Sequence, residues 1–462
     1  MTAATGDRLV LARPGSPEYD VATQVFNEAA PARPAAAVTA RSVGDVQAAV
    51  AQATRLGLPV RVHATGHSAG AAGSMDGSLL VRTRLSGGVV VDPERRVARV
   101  PAGSTWSEVV AAAAQHGLAA PHGTSPSVGV TGYLLRGGVS FYSRRIGLAS
   151  NSVVAIELVT ADGELRRVDA SHDPELFWAL RGGGGGFGIV TAVEFRLFPA
   201  AAVVTGAALW SGRYAERLLD LWRTWAQGAP REAGTSFRIM NLPAIPEIPA
   251  ELTAGPVVCV AGAVLAPGEA DEAAALRYAE DLLGPLRECA RPLEDTWRPG
   301  GPTDVPLAHM DPPGPVNVLG DHMLLTELGD TGAAAFLRAA GPGSRSPLVA
   351  AELRQLGGAL AEPDPTGGAL NHLGAAYAYM GAGLPELQPA ERILGHLAGL
   401  RSALGPWDTG RTAPTFVEGA GQPQGHLDYG DLATVGRIRD RVDPTCLFRE
   451  DVMPHPTGAG SR

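Results

Sequence analysis

The chain has 462 residues, 45% of them hydrophobic and 18% charged. That is too much apolar material for a disordered chain and more length than one core usually organises, so two domains, or one with a large insertion, are expected. All 38 basic residues are arginine, and with 47 acidic residues the formal charge is −9, which argues against nucleic acid as a partner. Cys259, Cys289 and Cys446 lie far apart, against a disulfide framework or zinc site and in keeping with a reducing compartment. No stretch approaches the ~20 apolar residues of a membrane span, and the N-terminus has no basic segment leading into an apolar one, so a soluble, cytoplasmic protein without a membrane partner is expected.

Ser42 is a plausible N-cap for a helix over 42–58 that Gly57 closes. The run VRVHAT (60–65) alternates and predicts a strand, as does LLVRT (79–83). SGGVVVDPERRVARVPAG (86–103) reads as a hairpin around Asp92 and Pro93, and TWSEVVAAAAQHGL (105–118) as a helix closed by Gly117. Residues 153–168 are two β runs joined at Asp162-Gly163, followed by a short helix, ELFWALR, and a strand, GIVTAVEFRLFP. After Pro199 the texture shifts to Ala- and Leu-rich helices at 213–227 and 270–286, interleaved with possible strands at 255–265 and 346–356. A second domain begins near residue 200. Pro-rich loops at 242–249 and 301–315 interrupt it, and a last helix, ATVGRIRDRV, precedes DPTCLF. The class is mixed α+β.

Three glycine-rich motifs compete for the chemistry. GHSAG (66–70) has the Gly-x-Ser-x-Gly form of a hydrolase nucleophile elbow with Ser68 as nucleophile, but an elbow needs a helix straight after the serine, where Gly73 and Gly77 stand; a plain turn competes with it. In RGGGGGFG (181–188), Gly183, Gly185 and Gly188 satisfy GxGxxG. The order helix, glycines, strand is wrong for a Rossmann unit, so these glycines cradle a cofactor in another fold or permit a crowded turn. In HGTSPSVGVTGYLLRGG (122–138), small polar residues separate recurrent glycines, and backbone N–H groups bare of side chains form concavities that suit a diphosphate. His63 and His67 are four apart, but Gly66 breaks a helix between them and no other ligand is near in sequence, so no metal site is expected.

Taken together, LPVRVHATGHSAG (58–70), the run from His122 to Pro199, and RIRDRVDPTCLFRED (437–451) resemble the berberine-bridge-enzyme-like FAD-linked oxidoreductases. These belong to the vanillyl-alcohol-oxidase or PCMH-type FAD-binding family, here in a mono-covalent, actinobacterial form; ELRQLGGAL (352–360) anchors the fainter middle. The resemblance implies a PCMH-type FAD-binding domain of two α/β subdomains over 1–200. It also implies a substrate-binding domain with an antiparallel sheet flanked by helices over 201–414, and a C-terminal segment, 415–462, returning to the FAD domain. It implies FAD bonded covalently through His67 to the flavin 8α carbon, a bond a neutral imidazole can form. Carried over by motif, the FAD contacts are Ala64, Thr65, Gly66, Ser68, Ala69, Gly70, Gly123, Thr124, Ser125, Val128, Gly129, Gly132, Gly138, Asn151, Val154 and Val190.

The sequence departs from the family at several points. Ser125 stands where many members have a cysteine for a second flavin bond; a hydroxyl is a far weaker nucleophile than a thiolate, so no cysteinyl link is expected. Arg136 replaces a usual glycine, Gly186 a common asparagine, and Asp451-Val452 the usual Asn-Gln. The family's Tyr-x-Asn motif, whose tyrosine is the base in some members, reads Ala413-Pro414-Thr415. The base is therefore sought elsewhere. Tyr377 and Tyr379 share one face of a strand, as do Glu352 and Arg354, with Tyr142 and His372 as further candidates; sheet aromatics and an ion pair are the competing reading. The resemblance implies an oxidase or dehydrogenase passing hydride from a small, specialised-metabolite substrate to flavin N5, with O2 as reoxidant. A redox-neutral cyclase or lyase using the flavin-lined pocket and a metabolite-sequestering resistance protein are the alternatives.

Overall fold

The computed structural model of the chain describes residues 9–200, 202–266, 271–423 and 425–449; Asp451-Val452 lies outside them. Strands β1 (Ala36–Ala40), β2 (Val60–His63) and β3 (Leu79–Thr83) form a parallel sheet in the order β1-β3-β2. Helix α1 (Val43–Leu56) covers it with Val46, Ala49, Val50 and Ala53. Its start is a capping box: Ser42 Oγ accepts the Asp45 N–H at 3.1 Å and the Asp45 carboxylate accepts the Ser42 N–H at 3.0 Å. Strand β2 stops at His63, earlier than VRVHAT suggested, so Ala64 and Thr65 leave the sheet and begin a loop. The end of the chain returns here: the Val60 N–H donates to Leu447 O at 2.7 Å and the Arg449 N–H to Val60 O at 2.9 Å.

A second sheet is antiparallel. Its strands are β4 (Val90–Asp92), β5 (Val97–Pro101), β6 (Val153–Val159), β7 (Leu165–Asp169) and β8 (Ile189–Arg196), in the order β4-β5-β8-β6-β7. Helices α2 (Trp106–Ala114) and α3 (Val130–Leu135) pack on it through Trp106, Val109, Val130 and Leu134, and α4 (Pro174–Leu180) closes the same core.

The third sheet has eight strands and is antiparallel. Its long strands are β9 (Val203–Ser211), β10 (Ala233–Met240), β11 (Val257–Leu265), β12 (Leu319–Leu325), β13 (Ala350–Gln355) and β14 (Tyr377–Gly383), ordered β9-β11-β10-β13-β14-β12. One face, with Phe237, Leu353 and Tyr379, is covered by α5 (Ala215–Gly228), α6 (Glu272–Cys289), α7 (Gly329–Ala340) and α8 (Ala390–Leu404). Alternation then sends Arg238, Met240, Glu352, Arg354 and Met380 to the opposite face, toward the glycine-rich loops. A last helix, α9 (Tyr429–Val442), is tied to the start of α4 by Arg441 and Asp173 at 2.7 Å.

The glycine-rich half presses directly on this sheet. Arg144 Nε donates to Ala233 O at 2.9 Å, and a β-carbon on Gly234 would come within 1.9 Å of Phe141 O. Gly395, in α8, is exposed with nothing near it. Gly234→Ala should therefore lower the unfolding free energy by about 1–3 kcal/mol or more, as overpacking does, while Gly395→Ala should raise it by roughly 0.5–1 kcal/mol; urea titration of both variants checks the pair.

Candidate active site

A cavity of about 640 Å³ lies between that sheet face and the glycine-rich loops. Ala64, Thr65, Gly66, His67, Ser68 and Ala69 line one wall, with Gly123, Thr124, Ser125, Val128, Gly129 and Gly132 beside them. The backbone must come close here: Gly66 has φ 75°, and a β-carbon on it would lie 2.7 Å from Val25 Cα. Ser68 leads into a four-residue 3₁₀ turn, Ala69–Ala72, not the helix a nucleophile elbow requires. The RGGGGGFG glycines are a crowded turn away from the cavity; β-carbons on Gly182 and Gly183 would meet Leu370 and Ala179 O within 2.4 Å.

His67 stacks on Phe26 with ring centroids 3.7 Å apart, and its Nε2 is 3.0 Å from Ser127 Oγ, itself 3.1 Å from Ser125 Oγ. Burial pulls its pKa down to about 4, against the charge of Asp311, so the ring is neutral at physiological pH. Five of the expected contacts stand outside the cavity wall. Gly70 packs against Glu418 O; Gly138, at φ 76°, lies under the Tyr133 ring and its N–H donates to Thr415 Oγ1 at 3.1 Å. Asn151 Nδ2 donates to Asn371 O at 2.9 Å, Val154 sits at a register shift in β6, and Val190 is in the core of the antiparallel sheet.

The sheet wall is built in rows. Met240, Ala350 and Ala382 are in register across β10, β13 and β14; Arg238, Glu352 and Met380 form the next row, and Ser236, Arg354 and Ala378 the one after. A loop brings His309 and Asp311 onto the charged rows, its turn made by Met310 in the left-handed region at φ 58°, an unfavourable conformation for that residue. His309 Nδ1 is 2.6 Å from Asp311 Oδ1 and Nε2 is 2.8 Å from Glu352 Oε2. Arg354 Nε donates to Glu352 Oε1 at 2.9 Å, and its Nη2 lies 3.0 Å from His309 Nε2. Arg238 donates to His309 O at 2.7 Å and to Cys259 Sγ at 3.3 Å. Thr124 Oγ1, from the glycine loop, donates to Asp311 Oδ2 at 2.8 Å. Burial alone would raise both carboxyls; Arg354, then His309 and Arg238, more than offset it at Glu352 and hold it down at about 2, while His309, the Thr124 hydrogen bond and Arg238 hold Asp311 well below the usual carboxylate range.

Of the expected bases, only Glu352 faces this cavity. Tyr377 and Tyr379 do share a face, but it is the helix-covered one: Tyr377 reaches Glu327 Oε2 at 3.4 Å and lies beside Trp222, and Tyr379 is fully buried among α8 side chains. Tyr142 is edge-on to His122 and Phe198 in a separate cluster, and His372 Nδ1 is 2.7 Å from Asn371 Oδ1, also away from the wall. His309, Asp311, Arg238 and Glu418 went unrecognised in the sequence. An arginine inside the apolar alternation of TSFRIM was the one visible signal, since a buried charge needs a partner; His309 and Asp311 are hidden in a Pro-rich loop.

Residues 34–169 match the model of an FAD binding domain. The chain has the fold of the berberine-bridge-enzyme-like flavoproteins. Its structure is similar to that of wild-type BBE-like 1 from Physcomitrella patens, with a TM-score of 0.78 at 19% identity over 97% of each chain. It is also similar to glucooligosaccharide oxidase from Acremonium strictum, described with a 6-S-cysteinyl, 8α-N1-histidyl FAD, with a TM-score of 0.76 at 21% identity over 97% of each chain. In sequence it is 33% identical over 204 residues to (R)-6-hydroxynicotine oxidase from Paenarthrobacter nicotinovorans, a match spanning 44% of each chain; the match thus covers less than half of that relative. Among the described residues no helix is long and apolar enough to cross a membrane.

FAD fits this cavity. The bare glycine wall gives a flat ring and a diphosphate room to approach backbone N–H groups, and the Tyr133 hydroxyl, in the same wall, is buried without a partner among the described residues. The Thr415 Oγ1 accepts from the Gly138 N–H and donates to Arg136 O at 3.1 Å, so it secures the loop.

Glu418 completes the wall. Burial lifts its carboxyl to about 7 against the pull of Arg136 and a hydrogen bond from Asn27, and the Asp311 charge adds to the rise. A folded-state pKa above the ordinary 4.5 means that the native protein binds the extra proton, so this group's contribution to stability is present below about pH 4.5 and is lost as pH rises to about 7. Glu418→Gln should therefore flatten the stability profile over that window and, at pH 8, exceed the parent by up to about 3 kcal/mol. Denaturation of both proteins at a series of pH values checks this.

Proposed function

We propose that the protein is an FAD-dependent oxidase or dehydrogenase of a small molecule, with the flavin attached through His67 and the substrate's proton received by the His309–Glu352 pair. The observation that carries this reading is the facing of the two walls: the glycine loops and the charged rows border one cavity and are joined by the Thr124–Asp311 hydrogen bond. Bound FAD supplies a hydride acceptor that O2 can reoxidise. What remains for the protein is to hold the substrate and move its proton.

The charged rows are suited to that task because His309 Nε2 has two neighbours that want opposite things. Arg354 Nη2 can only donate, so a neutral His309 accepts from it while giving its Nδ1–H to Asp311. Glu352 Oε2 can only accept while ionised, so a protonated His309 turns its Nε2–H to Glu352. The cluster thus takes up a proton at Nε2 with a partner ready in either state. Glu352 itself, held below the usual carboxylate range by Arg354 first, is a poor proton store and serves to position and charge-balance the imidazole.

Attachment through His67 is supported by its neutral ring, the nucleophilic form, and by the turn of its Nε2 toward Ser127, which leaves Nδ1 as the bonding atom. Ser125 and Ser127 place hydroxyls, not a thiolate, beside it. Protein precipitated with acid should stay yellow, and a peptide containing His67 should carry the flavin mass; flavin lost entirely to the supernatant would refute the attachment. His67→Ala should retain a noncovalent, releasable flavin.

Turnover is tested separately. An alcohol or amine that the enzyme oxidises should bleach the oxidised flavin spectrum without air, and air should restore it. His309→Gln should slow the bleaching by about 10²- to 10⁴-fold, the usual worth of general acid-base catalysis, and Glu352→Gln, which removes only the balancing charge, should slow it by less. Product forming at equal rates with and without oxygen while the flavin stays oxidised would favour a redox-neutral use of the pocket.

A further inference from the structure

The sheet wall carries a gradient of polarity that the hydride and proton chemistry does not require. Beyond the Arg238–Glu352–Met380 row comes Met240–Ala350–Ala382, and beyond that the Pro-rich loop, which lays Leu242, Pro243 and Ile248 over the end of the cavity. Leu242, Ile248 and Ala350 pack onto a buried cluster of Met240, Leu252 and Val257, so the loop is anchored by its own apolar side chains. Leu384 extends the same wall. The polar end of the cavity, by contrast, is largely committed to itself: Arg238, His309, Asp311, Glu352 and Arg354 are bonded to one another, to Thr124 or to Cys259.

We propose that this cavity takes a substrate with an alkyl or aryl body and a single polar end, an apolar alcohol or amine, and rejects oligosaccharides. This rests on the redox reading above for its choice of functional group. A sugar ring presents a hydroxyl at nearly every carbon, and each one set against Met240, Leu242, Ile248 or Leu384 loses its water without gaining a partner. An alkyl or aryl body gains from the same wall, while its one hydroxyl or amino group lies at the His309–Glu352 end.

The test separates binding from bleaching. Holoprotein, its flavin content counted first, is titrated calorimetrically with benzyl alcohol, 4-ethylbenzyl alcohol, 4-butylbenzyl alcohol and cellobiose. At about 0.8 kcal/mol per buried methylene, the dissociation constant should fall about fourfold for each added carbon, and cellobiose should show no binding. Leu242→Asn and Ile248→Asn should each weaken 4-butylbenzyl alcohol by about tenfold or more and benzyl alcohol far less, with the flavin spectrum unchanged. Affinity that is flat along the series, absence of binding by every alkylbenzyl alcohol, or tighter binding of cellobiose would overturn the proposal. A rising series that never bleaches the flavin would leave the ligand class standing and count against the redox reading alone.

Discussion

Charges taken out of water persist in a protein only when each is paired and hydrogen-bonded, and this molecule buries two guanidinium groups and two carboxylates on one side of a sheet. Arg238 and Arg354 come from adjacent strands, Glu352 from the strand of Arg354, and Asp311 from a loop that reaches across with His309. Arg354 is held over two rings distant in sequence, Phe141 at 5.0 Å and Phe416 at 5.4 Å. Thr124 then ties Asp311 to the glycine loop. Satisfying these charges therefore fixes the distance between the sheet and the loops, and with it the shape of the cavity.

The same pairing decides which chemistry is within reach. Carboxylates held low by neighbouring cations are weak bases, so in the proposed reaction the proton goes to the imidazole between them, whose two nitrogens already have partners for either protonation state. On the other wall the imidazole of His67 is desolvated and neutral. Two histidines in one cavity thus have opposite surroundings: one lies among charges of both signs, the other is stacked on Phe26 beside serine hydroxyls.

Much of this was legible in the chain. The capped helix at Ser42, the hairpins at Asp92 and Asp162, and the glycine loops follow from local rules, because caps, turns and bare backbone are short-range matters. The pairing of Tyr377 with Tyr379, and of Glu352 with Arg354, follows from strand alternation. Which face each pair shows is a different question: it depends on where α5 and α8 land, and they cover the tyrosines and leave the charged pair to the cavity. His309 and Asp311 were illegible for the same reason, since only the tertiary structure brings a Pro-rich loop onto Glu352. GHSAG shows the value of context: its spacing suits an elbow, but Gly73 and Gly77 argued in the sequence against the helix on which an elbow depends, and a four-residue 3₁₀ turn follows Ser68.

A crystal structure of the flavin-loaded protein would test the central claim most directly. The flavin ring should lie along the His67 wall with N5 turned to the Arg238–Glu352–Met380 row. The gap to His309 should admit one substrate carbon about 3–3.5 Å from N5. A ring lodged elsewhere, or one whose N5 edge faces away from that row, would contradict it.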